Sequence, residues 1–248
     1  MGAGRHDISE GKWRNNHMGF NEKVHAYIAA KFYVYLTEAF GERGKMAFIH
    51  ATQYYAEQRG RRMAQRAIRD GEPLTPANYY RYGEWVGTED MKAEGCGNTM
   101  TYQSYLPEAV MHITQCPWCA QFKEMGLNAT AGAEYCRHLD NSIVRGFNPY
   151  LTYEVDQTLQ TAEYCIHRMK DVDFDGDTDL SKKPENLRDF EYHCAHSYWT
   201  YSEVAAAVFK SGGEAVSSNV MADFIQDYGR EMADILAGYR YTNFNVCD

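Results

Sequence analysis

Apolar residues recur at helical spacing through the first third of the chain. Val24, Tyr27, Ile28, Phe32, Tyr35 and Leu36 form one stripe. Asn21 and Glu22 suit its start and Gly41 its end. A second stripe of Met46, Phe48, Ile49, Tyr54, Met63 and Ile68 predicts a helix from about Gly44 to Asp70, closed by Gly71. Gly60 lies inside that helix, where it costs about 1 kcal/mol relative to Ala. It therefore marks a kink or a close approach to a neighbour. A Pro-containing linker, DGEPLTPANYYRYGEW, leads out of this helical layer.

The period then changes. TYQSYLPEAVMHITQCPW alternates as a strand, with Val110, His112, Thr114 and Cys116 on one side and Met111 and Ile113 on the other. LTYEVDQTL alternates too, with Leu151, Tyr153 and Val155 on one face. In YCIHRM, Cys165, His167 and Met169 share a side. These last two runs predict an antiparallel hairpin. One or two helices lie between, including EYCRHLDNSIVRG, which ends at Gly146. An acidic loop, DVDFDGDTDLSKKPEN, follows. DFEYHCAHSYWTYSEVAAAVFK then reads as helix, and a final helix runs from about Glu214 to Leu236, with Gly238 beyond it. The expected fold class is α+β: N-terminal helices, a small central antiparallel sheet and C-terminal helices. Residues 1–18 are expected to be a flexible arm and 19–248 one domain, helical over about 19–95 and sheet-containing over about 96–248.

Composition narrows the function. The net charge of −9 argues against nucleic acid as a partner, because phosphate binding needs a basic stripe. The one dense basic run, RGRRMAQRAIR, reads as a solvated helix face, or as a face with one arginine turned inward to hold a carboxylate. No stretch resembles a secretory leader or approaches the length of a membrane span. Seven scattered cysteines suit free thiols in a cytoplasmic setting. Twenty tyrosines supply amphipathic rings for a pocket, and Tyr-rich helices are compatible with a homodimer.

Four patterns carry candidate chemistry. Asp171, Asp173, Asp175, Gly176 and Asp177 match the start of a calcium loop, but Lys182 stands where such loops need a bidentate carboxylate. Cys116 and Cys119 form a CxxC without a second Cys/His pair at ribbon spacing. His193 and His196 share a helix face, as metal ligands, as a base, or as buried rings. Cys136 and Asp140 stack one turn apart on the face of Leu139 and Ile143. A carboxylate on an apolar face costs several kcal/mol unless it is paired, so Asp140 must meet a donor, a cation or a pocket.

The run YCRHLDNSIVRGFNPYLTYEVDQTLQTAEYCIHRM resembles the L-2-amino-thiazoline-4-carboxylate hydrolase family. Cys136, Asp140, Asn148, Pro149, Thr158, Leu159 and Cys165 fall on that family's pattern, as do CPW and YHCAH. Ala162-Glu163 and Ile166 replace its Gly-Asp turn and its aromatic. The similarity extends from about Phe20 to Tyr228. It implies a small-molecule substrate, a cyclic amidine bearing a carboxylate, whose thiazoline ring opens to N-carbamoyl-L-cysteine. In the preferred route, because no metal-ligand set here has convincing spacing, Cys136 is the nucleophile, His193 or His196 the base and Asp140 the amidinium partner. In the other, a metal held by His and Cys side chains activates water. No cofactor is assigned. Arg59 or Arg62 would clamp the carboxylate, and His112, Cys116, Asn148 and Cys165 would line the pocket. The thiol route has one electrostatic condition. Asp140 alone raises the thiol pKa, so a nearby cationic histidine or a helix N-terminus must offset it. The strand–turn–strand ending in Cys also resembles ligand-binding sensor domains of the 4-vinyl-reductase type, and a metal or redox thiol protein is a further alternative.

Overall fold

A computed structural model describes residues 19–247; the proposed N-terminal arm lies outside the described residues. The chain runs α1 (Glu22–Phe40), α2 (Glu42–Arg69), α3 (Pro76–Arg81), α4 (Glu89–Ala93), β1 (Thr99–Ser104), β2 (Glu108–Gln115) and α5 (Pro117–Glu124). A π-turn over Asn128–Gly132 leads into α6 (Ala133–Phe147). Then come β3 (Tyr153–Gln157), β4 (Cys165–Lys170), α7 (Phe190–Phe209), α8 (Ser211–Tyr228) and α9 (Arg230–Gly238). This is the α+β layout expected, with helices at both ends of a small sheet.

Asn21 caps α1 through its Oδ1, which accepts from the amides of Lys23 and Val24 at 3.0 and 3.1 Å. The helix is apolar over most of its circumference, and Ala26, Ile28, Ala29, Ala30 and Phe32 are all inaccessible to solvent. It is accordingly a central helix, with α2, α5, α7 and α8 around it. Phe32, Phe48 and Tyr201 stack in its core.

The sheet is antiparallel with strand order β1-β2-β4-β3. The β3–β4 hairpin pairs Tyr153 with Met169 and Val155 with His167, and Cys165, His167 and Met169 point inward together. Three sequence expectations are corrected. TYQSYLPEAVMHITQCPW is not one strand but two, turned at Leu106-Pro107, since Pro107 has no N–H to give to a ladder. Strand β2 ends at Gln115, and Cys116 is the N-cap of α5 with Pro117 in its first turn, so Cys116 and His112 do not share a face. The final helix is interrupted at Gly229, whose φ of 91° is open to glycine alone at little cost, giving α8 and α9.

Helix α6 lies across α2 and against β3. Its crossing with α2 is close because both helices carry glycine there. A Cβ on Gly60 would meet the Ile143 carbonyl oxygen, and one on Gly146 would meet the Glu57 carbonyl oxygen, both well inside contact distance. Gly60 thus marks close packing rather than a kink. The approach sets the spacing between Arg59 on α2 and Asp140 on α6. Gly60→Ala should therefore lose about 1–3 kcal/mol in urea unfolding, despite the higher helix propensity of alanine. An unchanged or stabilised variant would contradict the crossing.

Candidate active site

Between the sheet, α6 and the helical layer lies a cavity of about 430 Å³, a size suited to a small ligand. Exposed Val86 and Met100 stand at its mouth. The sheet contributes Met111, Ile113, Tyr153, Cys165 and His167 to the wall. Helix α6 contributes Cys136, Leu139, Asp140 and Ile143, the one face predicted from their spacing. Tyr79, Tyr80 and Trp85 come from α3 and the segment after it.

Asp140 meets a pocket. It has no hydrogen-bond or ion-pair partner among the described residues. Tyr79, pushed up first by burial, is pushed up further by its charge. Arg59 lines the same cavity from α2. Its guanidinium lies 5.8 Å from the Trp85 ring centroid, and its buried Nε lacks a partner. The cavity thus holds an unpaired anion on one helix and an unpaired cation on another.

The thiols are neutral. Burial, then the neighbouring Cys116, push Cys136 well above its ordinary value, against the one favourable contact from Gln160 Nε2 at 3.3 Å. Burial likewise pushes Cys116 up to about 12 and Cys165 up to about 11. Cys136 sits one turn inside α6, behind the π-turn, so the N-terminus of its own helix does not face it.

The histidines are neutral as well. His193 is driven down to about 3 by burial and then by the charge of Arg59. Its Nε2 lies 3.3 Å from the Glu84 carbonyl oxygen, which can only accept, so the proton sits on Nε2. Its buried Nδ1 has no partner and is a free acceptor in the cavity wall. His25, unmarked by sequence reasoning, also lines the cavity. Trp118 Nε1, a donor only, reaches its Nδ1 at 2.9 Å, so His25 Nε2–H donates to the Tyr55 hydroxyl at 3.0 Å. Burial, together with the charge of Arg59, holds His25 well below its ordinary value. The signal available in the sequence was a titratable ring on the apolar stripe of α1.

Four expected site residues stand elsewhere. His112 faces away from the cavity with its ring on Tyr164, centroids 4.5 Å apart, because Met111 and Ile113 occupy the inner side of β2. Asn148 holds the handover from α6 to β3: its Nδ2 donates to the Leu74 carbonyl at 2.8 Å and its Oδ1 accepts from the Tyr150 amide at 3.0 Å. His196 lies behind the wall, with Nε2 bonded to Gln58 Oε1 at 2.9 Å and Phe244 stacked on its ring. Arg62 is fully buried. With Arg66 it grips the Glu84 carboxylate, at N···O distances of 2.7 and 2.6 Å, and it donates to the Phe244 carbonyl at 2.6 Å. The basic run is therefore not a solvated face throughout, because Arg62 and Arg66 are 0% and 1% exposed.

The acidic loop spends its carboxylates on its own backbone and a neighbour's. Asp173 accepts from the Ala77 amide, Asp175 from the Asp177 amide and Asp179 from the Ser181 amide. Among the described residues no three His, Cys, Asp or Glu side chains converge as a metal site, and all seven cysteines are free.

Fold and site define a helical α+β protein with an open-mouthed cavity of small-molecule size whose wall carries opposite unpaired charges. Residues 21–166 match the model of the L-2-amino-thiazoline-4-carboxylic acid hydrolase family, and the chain belongs to that family. The name describes a hydrolase acting on a thiazoline carboxylate. The match takes in Arg59, Cys136 and Asp140 and stops before His193, short of the extent expected from the sequence pattern. No curated protein and no solved structure matches the chain. No described helix is long and apolar enough to cross a membrane.

The ion pair behind the wall has a measurable consequence. Burial alone would raise Glu84, but Arg62 and then Arg66 overrule it and hold the carboxyl down to about 2, against 4.5 for an ordinary glutamate. A carboxyl held this way favours the folded state above 4.5, and that share is lost as pH falls toward 2. Glu84→Gln leaves two buried guanidiniums uncompensated and should cost about 3–5 kcal/mol in urea unfolding at pH 7. The gap to the wild type should shrink as pH falls below 4.5. A constant gap across that window would remove Glu84 as the anchor.

Proposed function

We propose that this protein hydrolyses a small cyclic amidine bearing a carboxylate, of the 2-amino-thiazoline-4-carboxylate type. The observation that carries the reading is the pair of unpaired charges, Asp140 and Arg59, in one cavity of about 430 Å³. Such a substrate is a zwitterion with an amidinium at one end and a carboxylate at the other. Asp140 takes the amidinium N–H groups, and the planar fork of Arg59 takes the carboxylate. Family membership supports the same substrate class.

The amidine carbon is the electrophile. Protonation of the amidine, held by the Asp140 carboxylate, withdraws electrons from that carbon. Water adds to it and passes a proton to His193 Nδ1, which the Nε2–H···Glu84 contact keeps in the accepting tautomer. The carbon–sulfur bond then breaks, the electron pair leaves on sulfur, and the proton held by His193 goes to that sulfur, while the added oxygen gives its remaining proton to water as the carbonyl forms. A carbamoyl group and a free thiol remain. His193 is a weak base, so it needs a reactive partner, and an amidinium is one. Direct water attack is preferred over attack by Cys136 because burial raises the thiol and His193 is not cationic, so it does not offset that rise.

Purified protein incubated with 2-amino-thiazoline-4-carboxylate should release free thiol. Asp140→Asn and His193→Gln should each slow that release by about 10²–10⁴, while Cys136→Ala should stay within about tenfold of the wild type. Loss of turnover in Cys136→Ala would restore the thiol route. Tight binding by the wild type without thiol release would favour a ligand-sensing domain instead. Because His193 is already neutral above about 3, the rate should show no acid limb near 6.5, the ordinary histidine value.

A further inference from the structure

Lys182 occupies the position at which the acidic loop departs from a calcium-binding pattern, and it points inward. Its Nζ lies 5.1 Å from the Trp85 ring centroid, the same indole that Arg59 approaches at 5.8 Å. Both cations line the cavity, and neither has a carboxylate partner among the described residues. The next residue behaves in the ordinary way: Lys183 reaches Asp70 at 3.4 Å and lies over the Tyr82 ring.

The path of Lys182 is built. Its stem passes directly over Gly83, where an added Cβ would lie 2.6 Å from Lys182 Cε and 3.2 Å from Cδ. The backbone that follows it is pinned, by the Lys183 amide on the Arg81 carbonyl at 3.0 Å and by the Arg188 amide on the Glu84 carbonyl at 2.7 Å. Two cations beside one indole repel each other. Burial, together with Arg59, draws Lys182 down to about 8. An anion between them would relieve both charges and give the unpartnered Arg59 Nε an acceptor.

We propose that Lys182 and Arg59 together form a carboxylate subsite in the cavity, reached through the gap at Gly83, and that Lys182 sets the preference for carboxylate-bearing ligands. The identity of the full substrate rests on the hydrolase reading above; the preference for a carboxylate does not. A planar guanidinium and a point-charge ammonium on one indole suit a flat, singly charged acid.

Benzoate and benzamide, an anion and its neutral isostere, test the subsite without ring chemistry, using quenching of tryptophan fluorescence. The wild type should bind benzoate at least about tenfold more tightly than benzamide, the value of a charge-assisted hydrogen bond. Lys182→Met should lose most of that margin while benzamide binding stays within about twofold. Gly83→Ala, which displaces the stem without removing the charge, should act in the same direction, and Lys182→Arg should restore part of the preference. With 2-amino-thiazoline-4-carboxylate, Lys182→Met should raise KM about 10–100-fold and leave kcat within about threefold, whereas 2-aminothiazoline, lacking the carboxylate, should be unaffected. A wild type that binds benzoate and benzamide alike or not at all, or a Lys182→Met variant with the preference intact, would overturn the subsite. Benzoate selectivity lost in Lys182→Met without any thiol release by the wild type would uphold the subsite and sink the hydrolase reading.

Discussion

Glu84 is the point on which the arrangement depends. Its carboxylate is wholly buried and reaches two guanidiniums, Arg62 and Arg66, from one long helix. Arg62 passes the connection on to the Phe244 carbonyl near the C-terminal end. The main-chain oxygen of the same glutamate accepts from the Arg188 amide and from His193 Nε2. One residue in a linker therefore joins α2, the acidic loop, α7 and the C-terminal segment. Buried charges demand such completeness, because any member left unpaired would cost several kcal/mol. The requirement also aligns a ring in the cavity wall, since the carbonyl that completes the set decides which nitrogen of His193 is free.

A second constraint is steric. Helices α2 and α6 touch backbone to backbone at Gly60 and Gly146. Arg59 and Asp140 flank that contact, so two side chains of opposite sign share one cavity without meeting. Had they paired, the cavity would hold a spent salt bridge. Kept apart, each retains unused hydrogen-bonding capacity in a partly dry space, where a charged hydrogen bond counts for more than in water.

Much of this was legible in the sequence because it is local. The stripes of α1 and α2 follow from apolar spacing, and the β3–β4 hairpin from alternation. Cys136 and Asp140 stood out because a carboxylate on an apolar helix face needs a reason, and the reason is the cavity. Strand β1 was not separated from β2 because Thr99–Ser104 carries no buried alternation of its own. The break at Gly229 was missed because the apolar stripe continues across it. The basic run was read as a solvated face or as one with an arginine turned toward a substrate carboxylate, since the partner that Arg62 and Arg66 share lies in a linker about twenty residues away. His112 and Cys116 were placed together by extending an alternation past the end of its strand. Lys182 was noticed only as a residue that spoils a motif; its role depends on a contact with Gly83, roughly a hundred residues distant, which no local pattern records.

The route of Lys182 has a bearing on how this cavity can diversify. Asp140 is carried by a core helix whose backbone contacts leave little room for change. Lys182 is carried by a surface loop, and loops accept substitution and length change far more readily than packed helices. The two ends of a ligand are thus read by parts of the chain under unequal restraint. Preference for the charge at one end can drift by exchange of a loop side chain, while the recognition of the other end stays locked to the architecture.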